Sequence, residues 1–97
     1  MFRIKTYSIN NQTSLLKIEG EIGDEQLHVW TKEMKQLRRL GTRDVILDFC
    51  WVSFISPKAV HALQEWIYGG VYVWNSNALV RNMLQTAGLS GHILDRS

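Results

Sequence analysis

Between Phe2 and Gly20 the apolar residues tend to a period of two, clearest where Leu16 and Ile18 share one parity, and Asn10-Asn11-Gln12 divides the run. Alternation on both sides of residues that tolerate turn conformations predicts strands over 2–9 and 13–20, joined as a β-hairpin. From Asp24 the period changes. Leu27, Trp30, Met34 and Leu37 recur at intervals of three and four, the mark of one buried helical face. Asp24 is the expected cap of that helix, Gly41 its stop, and Lys35, Arg38 and Arg39 stand at the negative end of its dipole.

Val45-Ile46-Leu47-Asp48-Phe49 is nearly unbroken in apolar character, which suits a central strand covered on both faces by helices. A second helix is predicted from about Pro57 to Tyr68, burying Val60, Leu63 and Ile67 beside Ala59 and Trp66, and closed by Gly69-Gly70. Val71-Tyr72-Val73-Trp74 reads as a strand. Ser76 is the expected cap of a third helix with Leu79, Val80, Met83, Leu84 and Ala87 on one face, Gly88 as left-handed stop and Leu89 packing back. Ile93 and Leu94 supply a short last strand. The order is β-β-α-β-α-β-α-β. Strands separated by single helices pair in parallel, so the expectation is one α/β domain over residues 1–97, with a mixed sheet, an N-terminal antiparallel hairpin and three main helices.

Composition narrows the function classes. At 97 residues, 45% hydrophobic and 21% charged, a second core would leave each half too small to offset its chain entropy. A formal charge of +2 without any block of like charges gives no argument for nucleic acid. A single cysteine, Cys50, cannot close an internal disulfide, and the Met1 end shows no leader pattern, so a reduced, cytoplasmic protein is expected. Charged or amide side chains interrupt every apolar run well before the roughly 18 residues of a membrane span, so no membrane insertion is expected. Peripheral association with a membrane complex and homo-oligomerisation both stay open.

Candidate chemistry is sparse. His28, His61 and His92 lie on separate elements without the spacing of a zinc site, and no metal or other cofactor is expected. Asp48, Ser56 and His61 could be strung into a hydrolase triad, but no Gly-x-Ser-x-Gly elbow surrounds Ser56. Gly69-Gly70 joins a helix to a strand, the reverse of the order in which helix amides meet phosphates. Cys50 has no adjoining cation to activate it and reads as an inert small apolar group. Nothing here argues for an enzyme.

Three strings give the chain a family likeness: "LKIEGEI" at Leu16–Ile22, "VILDFCWVSFIS" at Val45–Ser56 and "GGVYVWNSNALVRNMLQTAGL" at Gly69–Leu89. In this order and spacing they resemble the STAS domain, the fold of bacterial anti-sigma factor antagonists and of the cytoplasmic tail of sulphate transporters. In the antagonists the second string runs on into Asp-Ser-Ser-Gly, whose first serine a partner kinase phosphorylates. Matching Phe54-Ile55 to the usual apolar pair puts Ser56 at the Asp, Pro57 at the phosphoacceptor, Lys58 at the second Ser and Ala59 at the Gly. Gly23 stands where a Gly-Glu-Leu-Asp motif ends in Asp, with Asp24 one place later, and Cys50-Trp51 replaces a common Ser-Gly pair. With few residues after the last strand, the family's final helix is expected to be absent or much reduced.

Two readings of Ser56-Pro57-Lys58 follow. Serine favours the cap and proline the first helical position, so the tripeptide can be simply the mechanical start of a helix. A phosphate on Ser56 would also meet free amides, the helix dipole and Lys58. Trp51, placed on a loop after the central strand, is either a lid on the core or a partner's anchor. The basic side of the first helix, Lys32, Lys35, Arg38 and Arg39, is either a solvated face or a surface for an acidic partner. The resemblance implies a non-catalytic interaction module with a protein partner, foremost an anti-sigma factor of the serine-kinase type. The expected contact residues are Gly23, Asp24, Trp51, Ile55, Ser56, Pro57 and Lys58. The alternative is a STAS-type accessory subunit of a membrane transport assembly, such as a lipid-exporting ABC complex.

Overall fold

The structure, a computed structural model, describes residues 2–94. The chain beyond Leu94, and with it the expectation about a final helix, lies outside the described residues. The hairpin forms as expected, β1 (Phe2–Ser8) against β2 (Thr13–Ile22), antiparallel, with Phe2 opposite Gly20 and Ser8 opposite Ser14. Its turn is held by Asn10, whose Oδ1 accepts from the amides of Gln12 at 2.8 Å and Thr13 at 3.0 Å. This is the local chemistry that makes asparagine a turn former.

After β2 come a 3-10 turn (Asp24–Gln26), α1 (Leu27–Arg39), β3 (Asp44–Ile55), α2 (Pro57–Trp66) and a second 3-10 turn (Ile67–Gly69). Then follow β4 (Val71–Trp74), α3 (Ala78–Thr86), a third 3-10 turn (Ser90–His92) and β5 (Ile93–Leu94). The sheet order is β1-β2-β3-β4-β5, parallel from β2 onwards, so β3 is central as predicted. α1 and α3 end alike. Thr42 N donates to Leu37 O and Gly41 N to Arg38 O, while Leu89 N donates to Leu84 O and Gly88 N to Gln85 O. With Gly41 at φ +82° and Gly88 at φ +83°, both are Schellman closures on a left-handed glycine.

One expectation about β3 is corrected. Val45, Leu47 and Phe49 are buried, but Ile46 and Asp48 between them are only half-buried. The inward strand residues, Leu16, Ile18, Val45, Leu47, Phe49, Val71 and Val73, share one core with Trp30, Met34, Leu37, Leu63, Val80 and Leu84 of the three helices. Each crossover steps to the next strand in the same direction, and crossovers of one hand then put every helix on the same face. The opposite face is left without a helical layer. Leu79 is a further correction, being 55% exposed and off the buried face of α3.

Two caps also differ. Ser76 is not the cap of α3: Asn77 is, its Oδ1 accepting from Val80 N at 2.8 Å. Asp24 makes no capping bond: it opens the 3-10 turn, whose cap position is Gly23, α1 itself is preceded by Gln26, and the Gln26 side chain reaches back to accept from Gly23 N at 3.0 Å. At α3 a neighbouring residue of equal capping propensity takes the role, a choice that propensity does not resolve.

Candidate docking site

β3 continues to Ile55, well past the predicted end at Phe49, and its burial changes period on the way. Lys17 pairs with Asp48 but Glu19 with Trp51, and Gly20 pairs with Val52 but Glu21 with Phe54, so β3 carries an extra residue at two places. These are β-bulges. They turn the alternation of two into one of three: Phe49, Val52 and Ile55 are buried, while Cys50-Trp51 and Ser53-Phe54 both face out. At the first bulge the Asp48 carboxylate accepts from Cys50 N at 3.0 Å, and beyond it the Asn77 side chain donates to Val52 O at 3.0 Å.

Trp51 is therefore in the strand and not on a loop, and at 63% exposed it is no lid on the core. Cys50 is exposed rather than packed. Ile55 is fully buried, so it supports the site from below and presents no contact surface.

The start of α2 has the expected form. Ser56 is extended at φ −73°, ψ 157°, its Oγ accepts from Ala59 N at 3.1 Å, and Pro57 is the first helical residue. Ser56 O accepts from Val60 N at 2.9 Å, and Ser56 N donates to Ile22 O at 2.8 Å. This last bond ties the end of β2 to the start of α2 and brings the turn after Ile22 alongside. Gly23, Asp24, Ser56 and Pro57 consequently line one groove of about 460 Å³. Two adjacent pairs of the expected contact residues, Gly23-Asp24 and Ser56-Pro57, are thus brought together from distant parts of the sequence. Lys58 is exposed but is not part of that lining, and Trp51 lies further back along β3.

The groove also contains Glu21 and Glu25, and Phe54, 38% exposed, precedes the Ile55-Ser56 corner. None of these three was singled out from sequence. For Phe54 the available signal is the broken alternation in Cys50-Trp51-Val52-Ser53-Phe54, which a loop and a bulged strand share. With Asp24, the two glutamates make the rim acidic. Of the first α2 amides, Pro57 has none and those of Ala59 and Val60 are both occupied by Ser56, which leaves that of Lys58 to meet an anion.

The other constellations come apart. The Asp48 carboxylate is engaged by Cys50 N, Ser56 Oγ by Ala59 N, and His61 faces Glu65 at 3.6 Å on the exposed side of α2. Among the described residues no cluster of His, Cys, Asp or Glu is arranged to hold a metal. No described helix is long and apolar enough to cross a membrane. Arg38 leaves the basic face of α1, since its guanidinium donates to the carbonyls of Thr42, Arg43 and Gly69 and clips the α1–β3 and α2–β4 connections together.

No protein-family model and no curated protein matches the sequence. Solved structures do match. The anti-sigma factor antagonist SpoIIAA in its unphosphorylated form aligns over 98% of this chain and 89% of its own, with a TM-score of 0.81 at 18% identity. The fold is that of the STAS domain. The phosphorylated form of SpoIIAA, a Bacillus cell fate determinant, aligns over 98% of this chain and 92% of its own, with a TM-score of 0.74 at 17% identity. A STAS-domain antisigma-factor antagonist from Rhodobacter sphaeroides covers 74% of this chain and 82% of its own, at a TM-score of 0.58 and 16% identity. At these identities the likeness is one of fold.

Proposed function

We propose that this chain is a non-catalytic protein-binding module whose docking surface is the groove between the Gly23–Gln26 turn and the start of α2, held permanently in its binding-competent state. The observation that carries the reading is Pro57 at the first position of α2, where the STAS likeness puts the phosphoacceptor. Proline has no hydroxyl to phosphorylate. The adjoining hydroxyl of Ser56 is 7% exposed with its residue, spent on Ala59 N, and rimmed by Glu21, Asp24 and Glu25. A phosphate there would forfeit the cap and meet like charges. The likeness to anti-sigma factor antagonists supports a partner of the kinase type, and the rim supports a contact surface rich in Lys and Arg around an apolar group meeting Phe54 and Pro57.

The test is native co-purification of the tagged chain from its source cells, followed by titration of the recovered partner. A soluble kinase-like protein is expected, with binding weakened at least about tenfold by E21K/E25K, since charge reversal on a docking rim opposes association. Recovery of membrane transport subunits instead would favour the accessory-subunit role. A partner whose affinity ignores E21K/E25K docks elsewhere and overturns the site.

A further inference from the structure

On the outer side of α1, His28, Lys32, Lys35 and Arg39 follow one another at intervals of four, three and four, and all four are exposed. At 3.6 residues per turn they fall within an arc of about 60° and form a straight row about 16 Å long. Arg38, one residue off the row, is consumed by backbone carbonyls, whereas Lys32, Lys35 and Arg39 form no ion pair among the described residues. Their side chains flank a groove of about 570 Å³ with Leu27 and Thr31 on one side, Gln36 on the other and Asp24 at its N-terminal end. Val29 and Leu40, 47% and 71% exposed, lie along the Gln36 flank.

We infer that this face of α1 is a second docking surface, distinct from the acidic groove, and that its occupant is an acidic amphipathic helix of a partner protein. The spacing four-three-four is that of the seam along one face of another helix, so carboxylates at i, i+4, i+7 and i+11 meet the row in register. Aliphatic side chains beside that ridge would cover Val29 and Leu40. An anionic bilayer fits less well, because the apolar face of α1 that would insert, Trp30, Met34 and Leu37, is already buried in the core. Asp24 repels an acidic segment at one end and sets the contact towards Lys32, Lys35 and Arg39.

The probe is a fluorescein-labelled alanine-based helical peptide with Glu at i, i+4, i+7 and i+11, titrated by anisotropy with the full chain. A peptide of equal composition with the four Glu spread around the helix is the comparison. The patterned peptide should bind at least about fivefold more tightly than the scrambled one, and lose about tenfold or more between roughly 20 mM and 200 mM salt. K32E/K35E/R39E should abolish binding with far-UV circular dichroism unchanged and melting lowered by no more than the few degrees that acidic side chains near the C-terminus of α1 cost, while K17E on the open sheet face should leave binding intact. The milder K32Q/K35Q should weaken it severalfold if the triple variant misfolds. Equal binding of both peptides, or stronger adhesion to phosphatidylserine-containing vesicles than to the patterned peptide, would overturn the inference.

Discussion

The side-chain amide of Asn77 donates through Nδ2 to the carbonyl of Val52 at 3.0 Å, while its Oδ1 accepts from Val80 N. One residue thus caps α3 and satisfies a carbonyl of the bulged half of β3, fixing the strand that leads to the α2 corner. Asn77→Ala removes the cap, worth about 1 kcal/mol, and leaves a half-buried acceptor unpaired, for a total loss of about 2–3 kcal/mol in urea denaturation. Asn77→Ser keeps an acceptor for the cap and should lose about half as much. No loss in Asn77→Ser would mean that the Val52 bond contributes nothing.

Gly70 and Gly41 have nearly the same φ, +85° and +82°, but different surroundings. A Cβ at Gly70 would stand 2.5 Å from Arg43 O, whereas one at Gly41 meets nothing within 4 Å. Gly41→Ala should therefore cost only the left-handed penalty, about 1–2 kcal/mol. Gly70→Ala adds displacement of the backbone before β3, and should exceed Gly41→Ala by more than about 1 kcal/mol in chemical denaturation.

Pro57→Ser restores a hydroxyl at the first position of α2. Stability should fall by only about 0.4–1 kcal/mol, through the greater freedom of the unfolded chain. Incubated with the recovered kinase-type partner and ATP, the variant should gain the mass of one phosphate and release the partner, while the native chain does neither. Phosphate on Ser56 of the native chain would end the permanently competent reading.

Trp51 and Trp30 make a contrast within one residue type. Trp30 is fully buried, with its ring edge-on to Trp66 at 4.8 Å and tilted against Phe49 at 6.2 Å. Trp30→Ala should lose about 3–5 kcal/mol. Trp51→Ala should change stability by no more than about 0.5 kcal/mol, as exposed positions do, and should remove the fluorescence most accessible to acrylamide.

The period changes along the chain determined most of the architecture, because each reports a local geometry: two residues for the hairpin, three to four for the helices, and glycine where φ turns positive at Gly41, Gly70 and Gly88. Ser56-Pro57 as a helix start was legible for the same reason, as cap chemistry spans only three residues. Tertiary structure decided what depends on partners far away in sequence. The bulges that turn Trp51 and Phe54 outward are a matter of register against β2, and the bare face of the sheet follows from the common direction of its crossovers. The acidic groove exists because Ser56 N bonds Ile22 O and carries Glu21, Asp24 and Glu25 to the foot of α2. No periodicity in the sequence encodes that contact, since it joins residues 34 apart whose pairing is set by the packed sheet.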